Sequence, residues 1–222
     1  MLNFFKTIHI YIDNDSLFWI YVVNKRVEKK GIYDLKNGLE NLKVYFIDVL
    51  NVKSLHFIYF KINMCTYFYK VSVLPYINDY LSIDNLKNIS NSIFLKKYLN
   101  FDENEYQFFC SKQSFGDPII LIALDKNIYN FFCNLNLGRF EFYFDVIEIL
   151  NKMKSIDSKI FNFNGSYYHY EFYEKKLIDI NIFHSNKALR NIEICSFEFN
   201  IDFLNNDDKV VFPKIMSLLC IK

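Results

Sequence analysis

The strongest constraint on the fold is a pattern of three short alternating strands that occurs twice in the 222 residues. The first copy predicts strands over residues 7–13, 17–23 and 27–33, and the second over 159–164, 167–173 and 177–184. Helical patterns follow the first copy, so we expect an α/β protein with two related subdomains. Residues 1–153 would form the first, with an inserted strand–helix element, and residues 154–222 a second, incomplete one.

The segments between the two meanders alternate between helical and extended patterns. Apolar spacing predicts helices over 37–51, 83–99 and 146–153, and a further helix that begins at Asp125 and is ended by Gly138. It also predicts strands over 54–60, 66–74, 105–110, 118–124 and 139–146. The tail is expected to contain a strand over 192–203 and an apolar segment over 210–221.

The composition indicates a folded chain and excludes few functions. Hydrophobic residues make up 52% of the chain and aromatic residues 19%, which excludes intrinsic disorder. With 26 Lys and Arg against 25 Asp and Glu, the net charge of +1 removes the usual electrostatic argument for nucleic acid or an anionic membrane. No membrane span or signal peptide is predicted. Five widely spaced cysteines favour free thiols in a reducing cytosol: Cys65, Cys110, Cys133, Cys195 and Cys220.

The order of elements resembles that of a known family. Its features are the paired strands Leu55–Phe60 and Tyr67–Pro75, the run Phe101–Tyr106, a helix ending at Gly138, and Phe144-Asp145-Val146. Over residues 7–185 this succession is similar to the cytoplasmic domain of the GspL/PilM family, the inner-membrane platform proteins of type II secretion systems and type IV pili. The resemblance implies an actin-like (ribonuclease H-like) fold of mixed sheets flanked by helices.

The resemblance also implies a function. Members of the family act as scaffolds, so we expect a non-catalytic cytoplasmic scaffold at the inner membrane face. Its expected partners are the secretion or pilus assembly ATPase and other inner-membrane platform proteins, with a homodimer as a further expectation and no nucleic acid. Because the chain ends at Lys222, we expect that it was cut before a transmembrane segment or that it is a shorter relative.

Catalysis is not expected, because both turns that would hold phosphates depart from the actin-like motif. The first turn, Asp13-Asn14-Asp15-Ser16, has no glycine and carries two carboxylates. Each would cost roughly 1–4 kcal/mol at about 4 Å from a phosphate, although bound Mg²⁺ could reverse that sign. The second turn contains Asn164 and Gly165 but no aspartate. These are treated as degenerate turns, with no catalytic residue, cofactor or metal site.

Other chemistry is weakly indicated. His169 and Glu171 share one face of a predicted strand, where a surface pair is favoured over a ligand set. Residues 202–208 are typical of a solvated turn, and no P-loop, GxSxG or CxxC motif is present. The segment Tyr67–Val73 is expected to be core, with a docking edge as the alternative. Two other functions stay open: a nucleotide-binding actin-like ATPase, and a nucleic-acid-binding accessory protein of an AT-rich phage or plasmid.

Overall fold

The structure, a computed structural model, describes residues 6–13, 15–74, 104–111, 119–135, 137–153, 159–163, 166–184 and 194–196. Contacts between Cα atoms divide the chain into two units. Among the described residues, the first unit takes those within Met1–Cys65 and Asn130–Glu148, and the second those within Thr66–Tyr129 and Ile149–Phe197. The boundary expected between residues 153 and 154 stays a prediction.

The first unit contains a five-stranded mixed sheet in the order β3-β2-β1-β4-β8. Its strands are β1 (Lys6–Ile12), β2 (Ser16–Val23), β3 (Arg26–Asp34), β4 (Tyr59–Met64) and β8 (Arg139–Tyr143). The meander β1–β2–β3 is antiparallel, and β4 and β8 join it in parallel. The first predicted meander is therefore confirmed.

Helix α1 (Leu42–Leu50) covers one face of this sheet. Phe46 packs edge-on against Trp19 of β2 and Phe60 of β4, and all three side chains are at most 1% exposed. The predicted helix over 37–51 is shorter in the structure, because two 3-10 turns occupy Leu35–Asn37 and Leu39–Asn41. The helix ends where Asn51 adopts a left-handed conformation with φ 55°.

Strand β4 lies later than the sequence predicted. Residues 54–60 were expected to form it, but the strand begins at Tyr59. The preceding residues form a turn in which the Ile58 N–H donates to the Leu55 carbonyl at 3.0 Å. Leu55 and Ile58 are both 2% exposed whereas Phe57 is 87% exposed, so the burial pattern follows the turn and not a strand.

The second unit contains two sheets. One has the order β5-β7-β6, with β5 (Tyr69–Leu74), β6 (Tyr106–Ser111) and β7 (Ile119–Asp125) all antiparallel. The other has the order β11-β10-β9-β12, from β9 (Lys159–Phe163), β10 (Ser166–Tyr173), β11 (Lys176–Phe183) and β12 (Ile194–Ser196). The second predicted meander is confirmed, and β12 pairs with β9 in parallel. In the segment Tyr67–Val73, Tyr69 is 3% exposed but Tyr67 is 62% exposed, and β5 is at the edge of its sheet among the described strands. The choice between core and docking edge therefore stays open.

The two meanders repeat in detail. The β2–β3 turn, Asn24-Lys25, and the β10–β11 turn, Glu174-Lys175, each have positive φ at both residues. A register shift precedes each turn, after Tyr21 in β2 and after Glu171 in β10. In both sheets the meander's first strand then pairs in parallel with a later strand. The two meanders are thus alike in strand order, turn conformation and bulge position.

Two further helices complete the described elements. Helix α2 (Lys126–Asn134) follows Asp125, whose carboxylate accepts from the N–H of Asn127 at 2.8 Å, and helix α3 (Asp145–Lys152) follows β8. Helix α2 ends four residues before Gly138, so that glycine is not its cap. The helix predicted over 83–99, the turn over 202–208 and the segment over 210–221 lie outside the described residues. Within the described part of the chain, no helix combines the length and apolar character needed to cross a membrane.

Candidate functional site

The carboxyl ends of three parallel strands meet at one edge of the first unit's sheet. Ile12 of β1 pairs with Met64 of β4, and Asn63 pairs with Tyr143 of β8. In open α/β sheets, ligands bind beyond the carboxyl ends of parallel strands. The residues that follow these strands are therefore the first place to look for a site.

The turn after β1 holds the sequence-predicted residues of this edge. The backbone N–H of Asp13 donates to the Ser16 carbonyl at 2.9 Å, and the Asp15 carbonyl accepts from Leu35 at 3.0 Å. Asp13 is half-buried and Asp15 is exposed, while Asn14 lies outside the described residues. A phosphate-binding turn needs N–H groups directed at the ligand, and here the N–H of Asp13 serves the hairpin instead. The geometry gives a closed, acidic hairpin turn.

A buried polar pair lies at the same edge and was missed by the sequence analysis. Asn63 Nδ2 donates to Asp145 Oδ1 at 2.6 Å, and both residues are 1% exposed. The Asn63 Oδ1 atom is buried without a hydrogen-bond partner among the described residues. The sequence does mark each residue, because Asn63 is a polar residue within an apolar strand and Asp145 follows another strand. Asn63 lies beyond the strand predicted at 54–60, so the sequence did not assign it to a strand end. Together the pair can present one carboxylate and one amide oxygen to a donor.

The second turn, in the second unit, is described from Ser166 onward, and Asn164 and Gly165 lie outside the described residues. Ser166 Oγ lies 3.3 Å from Thr66 Oγ1 and 3.4 Å from His184 Nδ1. The His184 ring stacks on Tyr67 with centroids 4.6 Å apart. His184 is 18 positions from Ser166 in the sequence, and the fold brings it to this turn. Distances of 3.3–3.4 Å are long for hydrogen bonds. They support a His184 ring held in position beside Ser166 and not a Ser166 hydroxyl activated as a nucleophile.

A tyrosine–glutamate cluster lies on the face of the first unit's sheet opposite α1. The hydroxyls of Tyr59 and Tyr143 both donate to Glu141 Oε2, the latter at 2.7 Å. The ammonium of Lys61 lies over the Tyr143 ring at 5.4 Å and over the Tyr59 ring at 5.9 Å. Burial, and then the hydrogen bond to Glu141, raise the pKa of both tyrosines, so both remain neutral donors at physiological pH.

His9 lies beside this cluster, paired in register with Lys61. It is 8% exposed, and its Nδ1 atom has no hydrogen-bond partner among the described residues. Burial, together with the positive charge of Lys61, lowers the pKa of His9 to about 3. His9 is therefore neutral at physiological pH.

The sequence-predicted pair of His169 and Glu171 is a half-buried contact between two side chains of strand β10. His169 Nδ1 lies 3.3 Å from Glu171 Oε1, which also accepts from Asn181 Nδ2 at 3.2 Å. No group of three His, Cys, Asp or Glu side chains in the described ranges is arranged to hold a metal ion. Cys65, Cys110 and Cys133 form no disulfide with any other cysteine that the structure describes.

Comparison with solved structures identifies the fold. The cytoplasmic domain of EpsL, an inner membrane component of the type II secretion system of Vibrio cholerae, is similar over 78% of this chain and 70% of its own, with 8% identity and a TM-score of 0.51. A Bacteroides thetaiotaomicron protein with an actin-like ATPase fold and unknown function is similar over 98% of this chain and 96% of its own, with 14% identity and a TM-score of 0.51. A chain of the PilM–PilN type IV pilus biogenesis complex is similar over 79% of this chain and 60% of its own, with 7% identity and a TM-score of 0.51.

These likenesses confirm the predicted actin-like fold and its resemblance to GspL- and PilM-type domains. No family model and no curated protein sequence matches the chain. With identities of 14% or less, the structural likeness establishes the fold alone.

Proposed function

We propose that this protein is a non-catalytic scaffold of a type II secretion or type IV pilus machine, acting at the cytoplasmic face of the inner membrane. Its partners would be the assembly ATPase and another inner-membrane platform protein. The observation that supports this most is the structural likeness to the cytoplasmic domain of EpsL, a component of a type II secretion system, and to a chain of the PilM–PilN type IV pilus biogenesis complex.

The first turn supports the non-catalytic part of the proposal. A turn that binds phosphate has backbone N–H groups available to the ligand and usually contains glycine. In this turn the Asp13 N–H instead donates to the Ser16 carbonyl. The turn also adds the exposed carboxylate of Asp15. An anionic phosphate would be repelled unless a cation came with it.

A pulldown from the native host tests the scaffold role. Recovery of a hexameric ATPase together with secretion or pilus components is the expected result. Recovery of ribosomes or DNA in their place would make the proposal wrong and would favour the nucleic-acid alternative.

A nucleotide-binding protein of the same fold is the second candidate, and the Asn63–Asp145 pair favours it. The pair places a buried carboxylate at the strand ends where ligands bind in such sheets. Asp13 follows β1 at the same edge, so carboxylates would be available there to bind the Mg²⁺ ion of a nucleotide complex.

Isothermal titration with Mg-ATP separates the two candidates. As a scaffold, the protein should show no binding tighter than about 1 mM, which corresponds to only about −4 kcal/mol. Micromolar binding that is lost in Asp13→Ala and kept in the exposed-site control Asp15→Ala would favour the nucleotide-binding candidate. The titration and the pulldown are independent, so a nucleotide-binding scaffold would be recognised as such.

A further inference from the structure

Glycine follows asparagine twice in the chain, at Asn37-Gly38 and at Asn164-Gly165. In such a pair the glycine nitrogen can attack the asparagine carboxamide with little steric hindrance, because glycine has no Cβ atom. The first pair lies between the two 3-10 turns that connect β3 to α1, whereas the second lies outside the described residues. The first pair is therefore the one whose surroundings bear on its chemistry.

The turn requires glycine at position 38. Gly38 has a positive φ of 82°, a backbone conformation that residues with a side chain rarely adopt. The Glu40 carboxylate also occupies the space that a Cβ atom of residue 38 would fill. Because both constraints exclude other residues at this position, the fold places an unhindered glycine nitrogen directly after Asn37.

The Asn37 carboxamide is accessible, but the nitrogen that would attack it is restrained. Asn37 is exposed, and its carboxamide forms no hydrogen bond in the part of the chain that the structure describes. The Gly38 N–H donates to the Leu35 carbonyl at 3.1 Å, and Asn37 has the helical backbone of the first 3-10 turn. Ring closure needs a free Gly38 nitrogen and a ψ angle at Asn37 outside the helical range. The turn must therefore open before the two groups can react.

We propose that Asn37 is a deamidation site of the folded protein, with a rate set by the opening of the first 3-10 turn. In the open turn the Gly38 nitrogen gives its proton to a solvent base and attacks Cγ of Asn37. The N–Cγ bond forms, the Cγ–Nδ2 bond breaks, and Nδ2 takes up a proton and leaves as ammonia. Water then opens the succinimide ring at either carbonyl, which leaves aspartate or isoaspartate at position 37. This inference does not depend on the scaffold proposal.

The isoaspartate product should disturb the connection between β3 and α1. Its backbone runs through the side-chain carboxyl carbon, so it contains one additional methylene, and 3-10 turns depend on a fixed i to i+3 spacing. The affected hydrogen bonds join the Gly38 N–H to the Leu35 carbonyl, and the Tyr33 hydroxyl to the Gly38 carbonyl at 2.6 Å. The aspartate product keeps the normal backbone and adds only a negative charge.

Peptide mapping of the whole chain by mass spectrometry, after incubation in mildly alkaline buffer, tests the proposal. The native wild type should show deamidation at Asn37 and several-fold less at Asn24 and Asn51, which are also exposed but precede Lys and Val. In urea, where the turn is lost, conversion at Asn37 should be several-fold faster than in the native protein. Asn37→Gln should show no conversion at this position, because glutamine would have to close a larger ring.

A variant of the turn tests whether its opening sets the rate. The Asp34 side chain accepts from the Lys36 N–H at 2.9 Å and caps the first 3-10 turn, so Asp34→Ala should open the turn more often. Native Asp34→Ala should therefore deamidate at Asn37 several-fold faster than the wild type, whereas the two rates should be equal in urea. Asp48→Ala, at an exposed position of α1, is the matched control and should keep the wild-type rate.

The isolated products test the effect on the fold. Protein with isoaspartate at position 37 should have a lower Tm than Asn37→Asp, which carries the same charge on a normal backbone. No deamidation at Asn37 in the native protein while the urea sample converts, equal rates in the native protein and in urea, or an unchanged rate in Asp34→Ala would each overturn the proposal. Equal Tm values for the isoaspartate protein and Asn37→Asp would contradict the effect assigned to the longer backbone.

Discussion

At the scale of single residues, the buried polar groups of the first unit make its stability conditional on pH and on pairing. His9 is buried in the sheet, with Lys61 beside it and with an Nδ1 atom that meets no hydrogen-bond partner in the described part of the chain. A charged imidazole there would lose its hydration and meet a second positive charge. The fold therefore tolerates only the neutral form.

The pH dependence of stability follows from this. The pKa of His9 is about 3 in the folded state, against about 6.5 unfolded, so the unfolded state binds more protons between these values. The stability contribution is complete above about pH 6.5 and is lost as the pH falls, by about 2 kcal/mol at pH 5. Urea unfolding at pH 7.5 and pH 5 measures this loss. His9→Phe should remove most of it, whereas His56→Phe, at an exposed position, should keep it. An unchanged pH dependence in His9→Phe would contradict the assignment.

The Asn63–Asp145 pair gives a second prediction at this scale. Asp145→Leu removes the acceptor and leaves the buried Asn63 amide unsatisfied, which should cost about 2–4 kcal/mol of unfolding free energy. Because both partners are then apolar, the double variant Asn63→Leu with Asp145→Leu should recover part of that loss. A double-mutant cycle by chemical denaturation measures the coupling. Strictly additive effects would show that the hydrogen bond carries no coupling energy.

At the scale of elements, the two I′-type hairpin turns differ in how well their residues suit them. Both positions of Glu174-Lys175 have positive φ, 47° and 62°, a conformation that costs ordinary residues roughly 1–2 kcal/mol each. The first meander places Asn24 at the corresponding position, which tolerates it better.

Replacing Glu174-Lys175 by Asn-Gly should therefore stabilise the second unit by about 1–2 kcal/mol. Thermal unfolding measures the gain. The matched change Lys25→Gly in the first meander should give a smaller one, because Asn24 is already favourable there. A loss of stability in the Asn-Gly variant would mean that the side chains of Glu174 and Lys175 contribute more than their backbone strain costs.

Elements with a regular local pattern could be predicted from the sequence, and those set by distant contacts could not. The alternation in Ile8–Ile12 and the polar turn after it predicted the first hairpin, because strand period and turn chemistry are local. Strand β4 was placed too early because Leu55 and Phe57 imitate alternation. Gly138 was read as a helix cap, whereas the structure needs it for the approach of the His56 carbonyl. The Asn63–Asp145 contact spans 82 positions, so local patterns mark each polar residue beside an apolar strand but not their pairing.

At the scale of the whole molecule, each compact unit has its own buried aromatic core. In the first unit Phe46 is 1% exposed, and in the second Tyr170 is fully buried. Removing either side chain should cost about 3–5 kcal/mol, the usual effect of deleting a large buried ring. Which strands lose stability depends on whether the two units open separately.

We expect separate opening, because each sheet is paired within its own unit. In native-state hydrogen exchange, Phe46→Ala should lower protection in β1–β4 and β8 and leave β9–β11 close to wild type. Tyr170→Ala should give the reverse pattern, which makes each variant the control for the other. If both variants lowered protection equally in all of these strands, the chain would be one cooperative unit and the repeat would have no independent stability. Separate patterns would instead make each meander, with its parallel partner strand, a unit of stability as well as of sequence.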